Sequence, residues 1–231
     1  MINISLSRIF SRAWEVFKTA PLRHVGVFFL WLLLLVFLSA IQQQYHFVGI
    51  LYFLVAFLGN IFILGYSLDN IRDEFESIGQ VFKKYLTWGK ILDFFLYMLM
   101  VDLIVLVIIL AALGLAYQFN GTHSPWVILI IVLASLLLIL LSLRLLFAPY
   151  LILDKDYNAL DAFMESWRST GPYQGKIFLF YLLSFLIVLL GLLVFGVGLL
   201  IALPLVYFAQ TLLYEYAAGR GEDNEEDMTE I

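Results

Sequence analysis

The most constraining feature of the sequence is a stretch of 38 residues, 177–214, that contains no charged side chain. As one continuous α-helix it would be about 57 Å long, roughly twice the hydrocarbon thickness of a bilayer. A stretch of this length must therefore fold back on itself within the membrane. The two glycines of Gly196-Val197-Gly198 permit a tight turn, so the sequence predicts a hairpin of two spans that turns there.

The composition of the whole chain is that of a membrane protein. Of its 231 residues, 63% are hydrophobic and 13% are charged, and the mean hydropathy is +0.98. Soluble domains are about 45–50% apolar and about 25% charged. The composition therefore excludes a soluble enzyme, a disordered protein and a nucleic-acid-binding domain. The chain has no cysteine, which excludes disulfides and thiolate metal sites.

Four further apolar segments are long enough to cross a bilayer, which takes about 20 residues. These segments are residues 25–41, 47–68, 94–117 and 126–153. Together with the hairpin they predict six spans, with residues 1–218 forming a single membrane domain. Residues 219–231 carry six acidic side chains and are expected to form a disordered, solubilising tail.

The distribution of Lys and Arg indicates the orientation of the spans. Twelve of the 13 basic residues lie before the first span, in the two polar loops or in the tail, and the opposite loops carry none. Because basic loops stay in the cytoplasm, both termini are predicted to be cytoplasmic. Leu38-Ser39-Ala40 loosely resembles a signal-peptide cleavage site. However, the long, helix-patterned polar region before the first span favours an uncleaved segment.

Each segment on the predicted cytoplasmic side contains a short amphipathic helix pattern. Three phenylalanines bring these patterns into register: Phe10, Phe82 and Phe163. Five residues before each phenylalanine stands a good N-cap: Ser5, Ser77 and Asn158. Such helices, with aromatic side chains on one face and charged ones on the other, lie in the headgroup plane of a membrane. The aromatic side chains predicted to anchor them are Trp14, Phe82 and Trp167.

Each amphipathic helix is followed by two spans, so the sequence predicts a unit of interfacial helix and hairpin that is repeated three times. The predicted units are residues 1–70, 71–156 and 157–218. The alternative is that membrane-proximal cytoplasmic segments are commonly amphipathic without being repeats.

The end of the fourth span carries a distinctive motif: Phe147-Ala148-Pro149-Tyr150-Leu151-Ile152-Leu153-Asp154-Lys155-Asp156, then Ala159-Leu160 and Ser166-Trp167-Arg168. This motif resembles the YciC-type bacterial inner-membrane proteins and the membrane domain fused to some glycerophosphodiester phosphodiesterases. The close match covers about 50 of the 231 residues, and the six-span layout extends it. The resemblance implies a bacterial cytoplasmic membrane. It carries over no catalytic residues, and hydrolase activity is not expected.

Side chains suited to catalysis or metal binding are scattered along the chain. The histidines lie in three separate segments: His24, His46 and His123. None has a second ligand at helical spacing, so no metal site or cofactor is predicted. The sequence contains no recognisable hydrolase, zinc or phosphate-binding motif, and the chain is not expected to be an enzyme. Acidic residues where the second span ends are expected to be solvated: Asp69, Asp73, Glu74 and Glu76.

Four polar side chains inside the spans are the candidate functional cluster. Asp102 and Arg144 are the charged ones, and burying a charge near mid-bilayer costs at least about 2.5–3.5 kcal/mol. Counted inward, Asp102 lies roughly 12–17 Å deep and Arg144 roughly 10–13 Å deep, so an ion pair is predicted. Asn60 and Gln210 stand at similar depth, which completes a predicted polar layer. This layer is either structural or part of a substrate or proton path.

These features predict an all-α membrane protein with six transmembrane helices and three interfacial helices on the cytoplasmic side. The leading functional hypothesis is a non-enzymatic protein of the bacterial inner membrane, with an accessory or scaffold role in envelope or membrane-lipid homeostasis. Its expected partners are the lipid bilayer and other membrane proteins, with no nucleic acid. The alternative is a transporter or channel for a small solute, an ion or a lipid, with its polar site inside the bundle.

Overall fold

The computed structural model describes residues 5–118, 125–193 and 198–218. All regular structure in these ranges is helical, and no strand occurs in them. A single 3₁₀ turn covers Gly171–Tyr173. The α-helices in chain order are α1 (Leu6–Thr19), α2 (Pro21–Gln42), α3 (Val48–Ile71), α4 (Ile78–Tyr85), α5 (Trp88–Tyr117), α6 (Pro125–Arg144), α7 (Ala148–Lys155), α8 (Ala159–Ser169), α9 (Gln174–Leu193) and α10 (Leu199–Ala217).

The prediction of an all-α membrane protein with six spans is confirmed. In the described ranges, six helical segments are long and apolar enough to cross a bilayer, and α6 and α7 together form the fourth. The predicted hairpin break falls between α9 and α10. A Cβ on Gly198 would lie 2.6 Å from the carbonyl oxygen of Gly191, so two glycines let the chain approach itself closely here. Gly196 and Val197 of the predicted turn lie outside the described residues.

The three predicted amphipathic segments form separate helices, α1, α4 and α8. The side chains of Ser77 and Asn158 cap α4 and α8 by accepting hydrogen bonds from the backbone N–H groups of Gln80 and Asp161. Ser5 stands at the N-cap position of α1 but caps no N–H; its hydroxyl lies 3.0 Å from the hydroxyl of Ser7. The predicted caps are therefore confirmed for two of the three helices.

The described residues form two compact units, which do not follow the predicted repeat boundaries. The first consists of residues 5–91 and 175–218. In it, α10 packs against α1, α2 and α3, and α4 packs against α3. Burial concentrates in the C-terminal parts of α3 and α10, where nearly all residues of 61–71 and 208–215 are buried. This core therefore lies where the amphipathic helices α1 and α4 are packed.

The second compact unit consists of residues 92–174 and holds most of α5 together with α6, α7 and α8. Its core is α7, whose residues Tyr150–Leu153 are all buried, and α8 packs against α7 and α6. In contrast, the most apolar 18-residue window of α5 contains no buried residue. Along its middle, α5 is therefore at most half-buried, with Ile104, Ile108 and Ala112 on its less exposed side.

The burial of the amphipathic helices repeats in the predicted register. One position before the aligned phenylalanines, the side chain is fully buried in each helix: Ile9, Val81 and Ala162. Three positions after them, the side chain is again buried in each helix: Ala13, Tyr85 and Ser166. This agreement supports the alignment, while the threefold repeat itself stays a prediction. The acidic tail and the loop residues 119–124, with His123, lie outside the described residues.

Candidate functional site

The fourth span breaks directly after Arg144, where the sequence predicted one segment to residue 153. Residues 145–147 form a turn between α6 and α7. The cause is Pro149, which has no N–H to donate to the carbonyl oxygen of Leu145 and whose ring clashes with that carbonyl in a helix. The Leu145 carbonyl accepts instead from the Ala148 N–H at 3.3 Å and from the Tyr97 hydroxyl at 3.2 Å. A local bond and a bond from a neighbouring helix thus replace the helical hydrogen bond that the proline cannot make.

Ser166 of α8 satisfies two more backbone groups at this break. Its hydroxyl donates to the carbonyl oxygen of Arg144 at 2.8 Å and accepts from the N–H of Phe147 at 3.2 Å. The hydroxyl of Thr170, one turn later, lies 3.1 Å from the same Arg144 carbonyl. Ser166 and Thr170 are themselves fully buried. Ser166, the serine of the sequence motif, therefore links α8 by hydrogen bonds to the break in the fourth span.

The side chain of Arg144 is held by residues at the C-terminal end of α8 and just beyond it. Its Nη1 donates to the carbonyl oxygen of Trp167 at 2.9 Å, and the guanidinium lies 5.2 Å from the centre of the Trp167 ring. The amide of Gln174, turned so that its oxygen faces Arg144, accepts from Nη2 at 3.2 Å and from Nε. A Cβ on Gly171 would lie 2.8 Å from Nη1, so the glycine leaves room for the guanidinium.

The predicted ion pair between Asp102 and Arg144 is not formed in the described part of the chain. Asp102 is exposed, and among the described residues no Lys, Arg or His side chain lies within 4 Å of its carboxylate. Arg144 instead donates hydrogen bonds to α8 and to Gln174. The reason is the rotation of α5. At 100° per residue, position 102 lies about 200° around the helix from Ile104, which is on the side of α5 that lines the same groove as Arg144.

Asn60 and Gln210, the other members of the predicted polar layer, belong to the first unit and are half-buried. No hydrogen bond joins their side chains within the described residues. Asp102 and Arg144 belong to the second unit. Neither unit contains all four residues of the predicted polar layer, so the layer stays a prediction.

An apolar groove with a cationic end lies beside Arg144. Its volume is about 1040 Å³. The helices α5, α6 and α8 and Gln174 line it: Ile104, Ile108, Leu137, Leu140, Leu141, Arg144, Phe163, Met164, Trp167, Arg168 and Gln174. Its three strongly polar members, Arg144, Arg168 and Gln174, stand where α6 ends and α8 meets it. The remaining lining is hydrocarbon, aromatic or thioether, so the groove is amphiphilic along its length.

A second groove of about 750 Å³ lies further along the same pair of helices. It is lined by apolar side chains of α5 and α6 and by two side chains that carry a hydroxyl, Tyr117 and Ser135. Small residues such as Ala112, Ala116 and Ala134 account for much of its width. The two helices do not pack closely along their length. Two successive grooves therefore separate α5 from α6.

The first unit contains a polar cluster that the sequence analysis missed. Asp69, expected to be solvated, is buried and accepts hydrogen bonds from Lys84 Nζ at 2.6 Å and from the Tyr85 hydroxyl at 2.7 Å. Lys84 also donates to Glu74, at 2.8 Å. Burial alone would lower the pKa of Lys84, but its hydrogen bonds to Asp69 and Glu74 outweigh this and raise it. Burial and the Asp69 carboxylate raise the pKa of Tyr85.

Other polar contacts in the first unit tie spans to one another. Arg23 Nη2 donates to the Asn70 side-chain oxygen at 2.8 Å, and Arg72 forms an ion pair with Glu215 at 2.5 Å. These contacts join α2 to α3, and the end of α3 to α10. Among the described residues, no group of three or more His, Cys, Asp or Glu side chains is placed to hold a metal ion. We interpret these polar contacts as structural, because Arg23, Arg72 and Lys84 each bond to a group on a neighbouring helix.

The predicted anchors Trp14, Phe82 and Trp167 are exposed to almost the same extent, 43%, 45% and 45%. Each stacks on one aromatic neighbour, which is Phe17, Phe62 or Phe163 respectively. Each ring is therefore supported by an aromatic neighbour, and that of Trp167 also lies beside the Arg144 guanidinium. Their insertion into a membrane interface stays a prediction.

Comparison of the chain with protein-family models, with curated proteins and with solved structures returns no match. The resemblance to YciC-type proteins therefore stays a prediction from the motif. The structure supplies a physical reason for that motif: the proline breaks the span, and the serine of α8 bonds to the backbone at the break.

Proposed function

We propose that this chain is a non-enzymatic integral membrane protein that holds a membrane lipid in the groove of its second unit. Its role is that of an accessory or scaffold protein in membrane-lipid or envelope homeostasis. The observation that carries the proposal is the amphiphilic groove of about 1040 Å³ between α5, α6 and α8. Ligand pockets in proteins measure about 300–1,000 Å³, so this groove reaches the top of that range.

The arrangement of polar and apolar side chains favours a lipid over a soluble substrate. A small polar solute would need polar groups distributed around it, because buried polar groups without partners are costly. Here they stand at one end only, and hydrocarbon lines the rest. An amphiphile matches this pattern, since its headgroup meets the polar end and its acyl chain fills the space between α5 and α6.

The proposed location is the bacterial cytoplasmic membrane with both termini in the cytoplasm. The one-sided distribution of basic residues supports this orientation. Reporter fusions after Tyr45, after Asn120 and at the C-terminus test it. The first two are expected outside the cytoplasm and the third inside, and a cytoplasmic Asn120 or an external C-terminus would contradict the topology.

Lipid retention tests the function directly. The protein is purified in mild detergent, and bound lipid is counted by native mass spectrometry. The wild type is expected to retain one lipid per chain. Ile108→Trp places an indole in the groove, in the space that the acyl chain would fill, and is expected to lower occupancy about fivefold or more. Leu106→Trp, on an exposed part of α5 outside both grooves, is the matched control.

Retention that is absent in the wild type, or equal in both variants, would contradict the groove as the lipid site. Reconstituted vesicles separate the accessory role from the transporter alternative. Accessory binding leaves a labelled phospholipid or a trapped solute on its original side of the bilayer. Protein-dependent movement of either across the bilayer would contradict the accessory role.

A further inference from the structure

The cationic end of the groove has a defined chemistry. Two guanidinium groups, those of Arg144 and Arg168, line it together with the Gln174 amide, and no carboxylate is among the lining residues. Arg144 is the last residue of α6, and Arg168 is near the end of α8. Because the break after Arg144 lets α8 pack against α6, both side chains reach the same end of the groove.

Arg144 is pre-positioned to bind an anion. Its guanidinium has five N–H groups, of which the Trp167 carbonyl and the Gln174 amide together take three. Two N–H groups are thus left for a ligand, in a side chain whose orientation is already fixed by hydrogen bonds and by the Trp167 ring. Pre-organisation of this kind lowers the entropy cost of binding. Phosphate oxygens are the acceptors that a guanidinium fork matches best.

Arg168 supplies a second, mobile positive charge at the rim. Its side chain is 86% exposed, and its contact with Glu165 is long, at 3.8 Å. An exposed ion pair of this length contributes little energy, so Arg168 is free to turn toward a ligand. Glu165 is not a lining residue of the groove.

We propose that the groove is selective for phospholipids whose headgroup carries a net negative charge, with the phosphate between Arg144 and Arg168. This inference rests on the proposed lipid-binding function and specifies its ligand class. A zwitterionic headgroup brings an ammonium group next to the two guanidinium groups, and the like charges repel each other. An anionic headgroup carries no such positive charge and is therefore bound more favourably. The acyl chain extends from the phosphate along α5 and α6 toward the second groove.

Competition between two lipids with identical acyl chains tests this selectivity. Purified full-length protein is incubated with an equimolar mixture of phosphatidylglycerol and phosphatidylcholine, and the bound species are counted by native mass spectrometry. The wild type is expected to retain phosphatidylglycerol about fivefold more often, as one basic residue near an anionic headgroup would give. Arg168→Gln is expected to remove most of this preference, and Glu165→Gln is expected to increase it.

Lys83→Gln is the matched control, because it removes an exposed positive charge from another short helix, α4, outside the groove. It should leave the lipid ratio unchanged. Equal melting temperatures for Arg168→Gln and the wild type would show that the variant is folded. An excess of glycerol phosphate, the headgroup without acyl chains, is expected not to displace the lipid.

The outcomes separate this inference from the proposed function. If both lipids are retained equally by the wild type, or if Arg168→Gln keeps the preference, the selectivity is overturned while lipid binding stands. If neither lipid is retained, the proposed function itself fails. Displacement by glycerol phosphate would identify a site for soluble phosphate esters, and would overturn the commitment to a lipid.

Discussion

The hydroxyl of Ser166 lies 2.8 Å from the carbonyl oxygen of Arg144, to which it donates a hydrogen bond across the break in the fourth span. In the same position it accepts from the N–H of Phe147. Non-helical backbone at membrane depth is tolerated only where protein or water satisfies its polar groups. Here the buried hydroxyl of Ser166 bonds to two of these backbone polar groups. These bonds hold α8 in place, and with it the end of the groove.

Ser166→Ala is expected to destabilise the protein by about 1–3 kcal/mol, because it removes the buried hydroxyl to which the N–H of Phe147 donates. Unfolding in detergent micelles, followed by circular dichroism, measures the loss. Ser142→Ala is the control, since the exposed Ser142 hydroxyl bonds only to its own helix at Ile139. Equal stability of the two variants would mean that Ser166 does not hold the break.

Asp102→Asn is expected to leave stability unchanged or to raise it. Asp102 is exposed on an apolar helix and makes no ion pair with Arg144, so removing its charge removes a desolvation cost without breaking a contact. Membrane yield and the unfolding midpoint measure the effect. A clear loss of stability in Asp102→Asn, recovered by Arg144→Gln in the double variant, would instead support the predicted ion pair.

Gly65→Ala is expected to destabilise the docking of α4 by about 1–3 kcal/mol, the usual range for overpacking. A Cβ at position 65 would collide with the ring of Tyr85, which is itself fully buried. Gly114→Ala tests the same change where no atom lies within 4 Å. It is expected to be neutral or to stabilise α5 by about 0.5–1 kcal/mol. Thermal melts compare the pair, and similar effects at both sites would contradict the close packing of α4.

The Lys84 cluster predicts a loss of stability in alkaline solution. The pKa values of Lys84 and Tyr85 are both raised above their ordinary values of 10.5 and 10.0. The folded state therefore holds protons that the unfolded state releases, so this stability is complete below pH about 10 and is lost as the pH rises further. Melting temperature against pH measures it.

Lys84→Met is expected to lower the melting temperature at neutral pH, because Asp69 stays buried without its cation. It is also expected to make the alkaline fall in melting temperature less steep, because the variant has no Lys84 ammonium group to lose its proton. Lys83→Met is the matched control: its side chain is exposed on the same helix. An alkaline fall that is identical in the wild type and Lys84→Met would contradict the assignment to this cluster.

Asp102 and Asp69 show where local sequence patterns stop being informative. Because Asp102 interrupts an apolar run, the sequence predicts that it pairs with Arg144. In the described chain it is exposed and makes no ion pair with Arg144. Asp69 stands at a span end, where the sequence predicts a solvated side chain, yet it is buried and bonded to Lys84 and Tyr85. Its partners are 15 and 16 residues away, across a turn, and no helical or strand spacing links them.

The helical class, the six spans and the three short amphipathic helices can all be predicted from the amino-acid sequence. These properties depend on apolar run length and on the 3.6-residue period, which are local and which the bilayer enforces on any chain of this composition. The partners of Arg144, the burial of Asp69 and the width of the groove between α5 and α6 become visible once the helices are packed. Those depend on how each helix is rotated about its axis. Helices that are apolar on all sides carry no amphipathic pattern to specify that rotation, so small residues and single hydrogen bonds, such as that from Ser166 to Arg144, decide it.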